Sequence, residues 1–476
     1  MAEQHRFGPF DFLLLLVVLA IAGGVRAAYL QYAADGSRSE GYLRVQEQAS
    51  DRPDMPPDEM RRLIEAVRDG GLFAKAPFSK QDEQTAHISP GYPYLVGLLA
   101  RAPFLEAEKL YSTVRWAQVA LGALTAVLYF LFARRAFRSL LVGLVAGLLV
   151  ALNPFSIIAV ANIDDGVLAS FALAGMVYLG GLAGETGGAF SSLLFGLVSA
   201  GMALVRAAFL PLSFAGVIWF LVRSRSLERG WLSAFIAFLG FVIGLAPWTV
   251  RNYQAIQDPV PIVTTGYLHL WIGNNEWATG GPATPEMWAI APANELSAID
   301  NQNLRYARLG PRVLEEIKAR PIQTIKRRVH AFLAFYLGDS WFRDGSVVVL
   351  TPYQPDENDS PEAREQKAAL IDDLQQRAPM VLNSWLVGML ALALIGWRWS
   401  YAWRWESYPA FLAAFWVPLP YILGHAEALS GPRLPLDGVL LTFAAVSLVG
   451  LLPTSGPLLN PTEAGPRPLS SEEEQS

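Results

Sequence analysis

The feature that most narrows the fold of this chain is a recurrence of uninterrupted apolar runs, each about 15 to 25 residues long. A helix needs about 20 such residues to cross the roughly 30 Å hydrocarbon core of a bilayer. The runs carry no amphipathic period, so each is apolar all round, as a membrane span is and a surface helix is not. Ten spans are read, at 10–34, 113–133, 140–159, 166–183, 190–205, 207–222, 231–250, 379–397, 408–424 and 434–452. The first follows His5 and Arg6, as a cleaved signal peptide would, but it is longer than a signal h-region and is expected to stay as an anchor.

Two polar regions interrupt the spans, at 35–112 and 251–378, and a polar tail at 453–476 is expected to be disordered. The first region contains the helical pattern "PPDEMRRLIEAVRDGG" and the short, broken apolar piece "HISPGYPYLVGLLARAPF", which is expected to lie along the membrane surface. In the second, "IKARPIQTIKRRVHAFLAFYLGD" reads as a helix on the outer surface, because Asp339, Arg343 and Asp344 interrupt the apolar run that an eleventh span would need. There is no cysteine, which excludes disulfides and thiolate metal sites; the net charge of −5 is small and does not bear on nucleic acid, which is not among the expected partners.

Positive charge orients the bundle. Arg134, Arg135 and Arg138 fall in one short loop, Arg223, Arg225 and Arg229 in another, Arg398 and Arg404 in a third. Ten spans put all three loops on one side, which the positive-inside rule makes the cytoplasm. Both polar regions and the turn carrying Asp164 and Asp165 then face outward. This parity depends on splitting 190–222 into two helices at Arg206.

The remaining polar groups map to outward ends of helices: Glu40 and His87 from the first outer region, then Asp164, Asp165, Arg206, Arg251, Asn252, His425 and Arg433. A transporter is expected to place ionisable groups near mid-membrane, on broken helices in paired halves. Gathered at one face, they suit chemistry on a substrate whose apolar part stays in the membrane. An arginine fork binds phosphate, and a carboxylate takes a proton from an attacking hydroxyl or holds a divalent cation.

"HISPGYPYLVGL", "PWTVRNYQAIQDPVPIVTTGYLHLWIGNN" and "SGPRLPLDGVLL" resemble signatures of bacterial glycosyltransferases of the GT-C fold, in the family 39 group that includes protein O-mannosyltransferases and the aminoarabinose transferase of lipid A. The resemblance runs from Phe10 to about Leu452; "PWTVRNY" with "LWIGNN" is its specific part. It implies an all-α polytopic bundle of about ten transmembrane helices over residues 1–452, with two extracytoplasmic loop regions carrying interfacial helices. It further implies an inverting transferase in the cell membrane, facing outward, that takes a monosaccharide from a polyprenyl-phosphate donor to a glycan, lipid or protein acceptor.

By the same resemblance, Glu40 or Asp35 is the first-loop carboxylate, with Ser39 standing where an Asp is common. Asp164 and Asp165 match an acidic residue facing it; the expectation is that Asp165 caps the following helix and Asp164 lines the cavity. Glu40 and Asp164, from two loops, either hold Mg²⁺ or Mn²⁺ together with phosphate oxygens or work as a base without a metal. His87, Arg206 and Arg433 are candidates for the donor phosphate, and His425 is a further substrate-side candidate. Tyr92 is read as packing its loop more than touching sugar. Arg251 and Asn252 either bind substrate or anchor a span, and Asn274 and Asn275 either bind sugar hydroxyls or shape a turn. Two other classes fit the same pattern: a transporter or flippase of a lipid-linked sugar, and a catalytically silent scaffold on this fold.

Overall fold

The computed structural model describes residues 8–34, 58–71, 73–103, 105–225, 227, 230–345, 360–425 and 432–452. Glu40, Asp35, Ser39 and the tail lie outside the described residues.

The helices run in the order α1 (Pro9–Ala34), α2 (Asp58–Asp69), α3 (Gly91–Leu99), α4 (Leu110–Ala136), α5 (Leu140–Ala151), α6 (Pro154–Ile158), α7 (Gly166–Thr186), α8 (Ala189–Val205), α9 (Leu210–Ser224) and α10 (Gly230–Ile256). The second polar region holds α11 (Gly266–Ile272), α12 (Pro285–Ala289), α13 (Ala293–Leu296), α14 (Gln302–Ala307), α15 (Leu309–Ala319), α16 (Pro321–Leu337) and α17 (Ser340–Asp344). The bundle resumes with α18 (Pro361–Ser400), α19 (Arg404–Trp416), α20 (Leu419–Leu423) and α21 (Leu434–Gly450). A two-residue antiparallel ribbon, β1 (Phe73–Ala74) with β2 (Glu83–Gln84), lies between α2 and α3.

Helices stand at all ten expected spans, but six of them are individually long and apolar enough to cross a membrane. A seventh crossing is made if α5 and the segment Pro154–Ala161 count together, bent by 50° at Leu152 and Asn153. The bend has a sequence cause: Pro154 lacks the N–H that a continuous helix would use, and the pre-proline Asn153 is extended, at ψ 112°. α8 and α21 are apolar but short, at 17 residues each. The span expected at 408–424 is broken into α19 and α20 at Val417 and Pro418.

The outer-surface helix expected at 317–339 is two helices, α15 and α16, divided at Arg320 just before Pro321. Arg251 and Asn252 do not terminate the seventh span. α10 continues through them to Ile256, and the break comes where Asp258 and Pro259 follow.

α4 forms the centre, packing against α1, α5 and α7, while α21 inserts between α5, α7 and α18. The resulting core is nearly all aliphatic and aromatic: Val18, Phe130, Val142, Leu173 and Val439 are each fully buried. Ion pairs ring one end of this bundle. Arg134 grips Asp11 with two bonds of 2.9 Å, and Arg135 meets Glu185 at the C-terminal turn of α7. Asp165 stands at the opposite end of α7, and 21 residues at 1.5 Å each put the two ends about 30 Å apart, one hydrocarbon thickness. The arginine-bearing end and the aspartate-bearing end are thus opposite ends of the bundle.

Candidate functional site

The Asp164–Asp165 turn is positioned from both sides. Preceding it, Gln118 of α4 donates from Nε2 to Val160 O (2.9 Å) and Asn162 O (2.7 Å), and Arg115 donates from Nε to Ala161 O (2.8 Å). Tyr92 of α3 donates its hydroxyl to Gln118 Oε1 at 3.2 Å, so the "SPGYP" segment steadies the residue that steadies the turn. Burial, followed by the charges of Asp164 and Asp165, raises the Tyr92 phenol well above its ordinary value, keeping the donor proton in place.

Within the turn, the helix-opening bond expected of Asp165 is made by Asp164. Asp164 Oδ1 accepts from the Gly166 N–H at 2.8 Å, an Asx-type bond that opens α7, whereas Asp165 makes no cap bond. Asp165 instead meets Arg206 in a fork, Nε to Oδ2 at 2.9 Å and Nη2 to Oδ1 at 2.6 Å. Arg206 stands at the C-terminus of α8, where the chain turns extended, so neither snorkelling nor phosphate binding is needed to explain its placement.

The 87–92 segment packs onto the same junction. Ser89 Oγ accepts from the Ala207 N–H at 2.8 Å. A Cβ on Gly91 would sit 2.8 Å from Val205 Cα, so the close approach of α3 to the end of α8 requires glycine there. On its other flank the turn meets the last helix: a Cβ at Gly166 would lie 3.1 Å from Leu434 Cδ2.

His87 is buried and shares a hydrogen bond between Nδ1 and Thr85 Oγ1, while its carbonyl accepts from Thr265 Oγ1 at 3.1 Å. It therefore joins the first outer region to the second. Around it a network the sequence reading missed completes the joint: Gln302 bonds Ala86 N, Thr85 Oγ1 and Glu83, and Arg305 grips Glu83 through bonds of 2.7 and 3.1 Å.

The most specific motif residues turn out to hold chain to chain. Trp248 Nε1 donates to Ile262 O (2.8 Å), Asn252 Nδ2 to Val260 O and Ile262 O (both 3.0 Å), and Arg251 to Thr85 O (2.8 Å) while lying 4.8 Å from the Trp248 ring. Asn274 donates to Leu270 O (2.7 Å); Asn275 donates to Trp271 O and Ile272 O and accepts from the Trp277 N–H. Both asparagines are buried, so of the two readings the turn-shaping one describes their contacts.

His425 stacks on His269, which the sequence reading did not single out, with Nε2 and Nδ1 3.1 Å apart. Beside them Arg328 of α16 donates to the carbonyls of Gly273, Ile422, Leu423 and Gly424. Burial and the neighbouring charge of Arg327 lower the Arg328 guanidinium to about 10, which still leaves it a cation at neutral pH.

Arg433 is fully buried. Its Nε donates to Asp437 Oδ1 at 2.8 Å, Nη1 to Tyr336 O at 2.5 Å, and its guanidinium lies 4.8 Å from the Phe155 ring. Asp437 in turn accepts from Asn153 Nδ2 at 3.1 Å. With Arg26 of α1, also fully buried, these charges stand inside the bundle and correct the expectation that ionisable groups gather only at its outer face. Each interrupts an apolar run, which is the signal that finds such residues in a sequence.

No group of three or more His, Asp or Glu side chains stands close enough to hold a metal ion among the described residues. Mg²⁺ and Mn²⁺ want several oxygens, and both oxygens of Asp165 are held by Arg206. The described residues thus do not present the donor set that such an ion needs.

No family model matches the chain, and no curated protein does. Among solved structures it is similar to the crystal structure of the Archaeoglobus fulgidus oligosaccharyltransferase in the apo form, with a TM-score of 0.51 and 11% identity over 94% of this chain and 51% of that one. A crystal structure of the same archaeal enzyme in complex with Zn and sulfate superposes with a TM-score of 0.49 and 12% identity over 92% of this chain and 49% of that one. The chain spans about half the length of these structures. At such identity the likeness is one of fold: this membrane protein has the GT-C fold.

Proposed function

We propose that this chain is an integral-membrane glycosyltransferase that moves one monosaccharide from a polyprenyl-phosphate donor to a hydroxyl acceptor, with inversion, on the extracytoplasmic side. The observation that carries the reading is the placement of the Asp164–Asp165 turn. On a GT-C fold, it joins α4, α3, the end of α8 and the start of α21 at the end of the bundle opposite the arginine-bearing loops. A donor with an apolar chain and a charged head would meet carboxylate and guanidinium groups there, at the depth of its phosphate.

In this reaction the acceptor oxygen attacks the anomeric carbon from the face opposite the phosphate. The bond from that carbon to the phosphate oxygen breaks, polyprenyl phosphate leaves with the electron pair, and the acceptor proton passes to a carboxylate. Asp164 is assigned that proton. A carboxylate accepts about four hydrogen bonds, so the bond to Gly166 orients Asp164 without consuming it. Glu40 is the second carboxylate of the reading. Asp165 and Arg206 serve as the strut that sets the turn, and the buried Arg433, bonded to Asp437 and Tyr336 O, steadies the start of α21 that packs on it.

The finer placement in the family 39 group rests on the motif resemblance alone. What supports it is that Arg251 of "PWTVRNY" ties the second polar region to the first through Thr85 O, while Trp248 and Asn275 fix the backbone at the entry and exit of α11.

The test is to incubate the purified chain in nanodiscs with polyprenyl-phosphate sugars carrying different radiolabelled heads, with native membrane extract as acceptor. Release of polyprenyl phosphate that is lost in Asp164→Asn supports the reading and names the donor. Saturable donor binding without turnover would overturn it in favour of a silent scaffold, and donor movement between leaflets without sugar release in favour of a transporter.

A further inference from the structure

Arg26 is a full charge in the middle of an apolar helix with no carboxylate bonded to it. Its Nη1 donates to Ala22 O (3.0 Å) and Ala151 O (2.8 Å), and its Nη2 to Val150 O (3.1 Å) and Ser156 Oγ (2.7 Å). Two of these acceptors, Val150 O and Ala151 O, lie in the last turn of α5, so the guanidinium sits at the negative end of that helix's dipole. Its Nε, however, has no hydrogen-bond partner within the described protein. The same holds for two other buried atoms, Tyr129 Oη and Asn153 Oδ1.

All three side chains line one cavity of about 20 Å³, together with Thr125, Ser156 and Asp437. The backbone is shaped around it. A Cβ on Gly122 would lie 2.6 Å from Arg26 Nε, and one on Gly438 would lie 2.1 Å from Tyr129 Cε2. Glycine thus stands at the two points where the polar side chains enter between helices.

The hydrogen-bonding inventory selects the occupant. Arg26 Nε–H only donates. Asn153 Oδ1 only accepts, since the amide nitrogen is turned to Asp437. The Tyr129 hydroxyl does both. An anion would satisfy Arg26 but face Asn153 Oδ1 and the Asp437 carboxylate, while a cation would face Arg26. Water, donating two bonds and accepting two, suits all three, and the cavity exceeds the about 10–15 Å³ that one water needs.

We propose that this cavity is an internal water site. One or two waters bridge Arg26 Nε, Tyr129 Oη and Asn153 Oδ1, joining α1, α4 and the α5–α6 bend to the first turn of α21. Asn153 orients Asp437 and Asp437 bonds Arg433, so the site also holds the buried ion pair at the start of α21. The proposal stands whether or not the chain transfers sugar.

The experiment is a structure of the full chain in nanodiscs at a resolution that shows ordered waters. The expected result is density within about 3.2 Å of all three atoms. A dry cavity, or one closed by a direct bond between Arg26 Nε and Asn153 Oδ1, would overturn the proposal. Tyr129→Phe keeps the ring and removes one water contact, so it should lower the midpoint of thermal unfolding by about 2–4 °C. Combining it with Asn153→Leu should cost less than the sum of the two singles, because both act on the same water; strict additivity would count against a shared water. Should the variants fail to fold, the density in the unsubstituted protein decides.

Discussion

Breaking the Asp165–Arg206 fork separates two roles for Arg206 that the sequence leaves together. Both partners are only partly covered, with side-chain exposures of 25% and 14%. Fully buried pairs that lose one partner cost about 3–5 kcal/mol, and exposed pairs are worth about 0–1 kcal/mol. Two charge-assisted bonds at this intermediate exposure place the coupling near 2 kcal/mol, about a 30-fold change in a folding equilibrium. Asp165→Asn, Arg206→Gln and the double variant, unfolded reversibly in mixed micelles, form the cycle that reads it. The expected result is that either single change produces nearly the whole loss and the double adds little. A coupling below about 0.5 kcal/mol would refute the strut, since independent residues add within that margin. So would a tenfold rise in donor KM in Arg206→Gln with stability unchanged and Asp165→Asn silent, an outcome that would return Arg206 to the phosphate.

Asp164→Asn should purify as a monodisperse protein and transfer sugar about 10²-fold or more slowly, and unchanged turnover would remove Asp164 from the proton-transfer role. Trp248→Phe should destabilise the fold by about 1–2 kcal/mol through loss of one buried bond to Ile262 O, with donor KM unchanged; a KM effect alone would give the motif a direct role in binding. Arg433→Met should destabilise by about 3–5 kcal/mol because it leaves Asp437 charged and buried, whereas Arg433→Met with Asp437→Leu should recover most of that loss. Unfolding that is no milder in the double variant would show that Arg433 is held mainly by Tyr336 O and Phe155.

The membrane character of the chain was legible because burial in lipid demands a length and an apolarity that can be counted. Helices duly stand at every expected segment, and the short outer helices α2 and α3 fall where the patterns put them. What the counting missed follows from geometry. Pro154 bends one span and Pro418 marks the break in another, although apolarity continues across both. Asp164 and Asp165 were visible as a pair, but which of them bonds α7 depends on a one-residue register that composition does not carry. Arg26, Gln118, Asn153 and Asp437 each interrupt an apolar run, yet their partners lie up to 284 residues away, as in the Asn153–Asp437 bond. A sequence shows that such a group needs a partner, and only the fold shows which one.

Motif and mechanism come apart in this protein for a physical reason. "PWTVRNY" and "LWIGNN" are specific because each side chain meets a particular backbone group: Trp248 and Asn252 the 260–262 segment, Arg251 the carbonyl of Thr85, Asn275 the last turn of α11. A bond to backbone is indifferent to what a site transfers, so these contacts lock the loops without choosing a donor sugar; that choice would fall to groups facing the sugar. The sequence pattern therefore identifies the lock and the fold that needs it, while the proton acceptor must be found by position. Under the proposed reaction Asp164 holds that position: it opens a helix at the end of the core opposite the arginine-bearing loops, anchored on one side through Gln118 to α3 and α4 and packed on the other against the residue that follows Arg433.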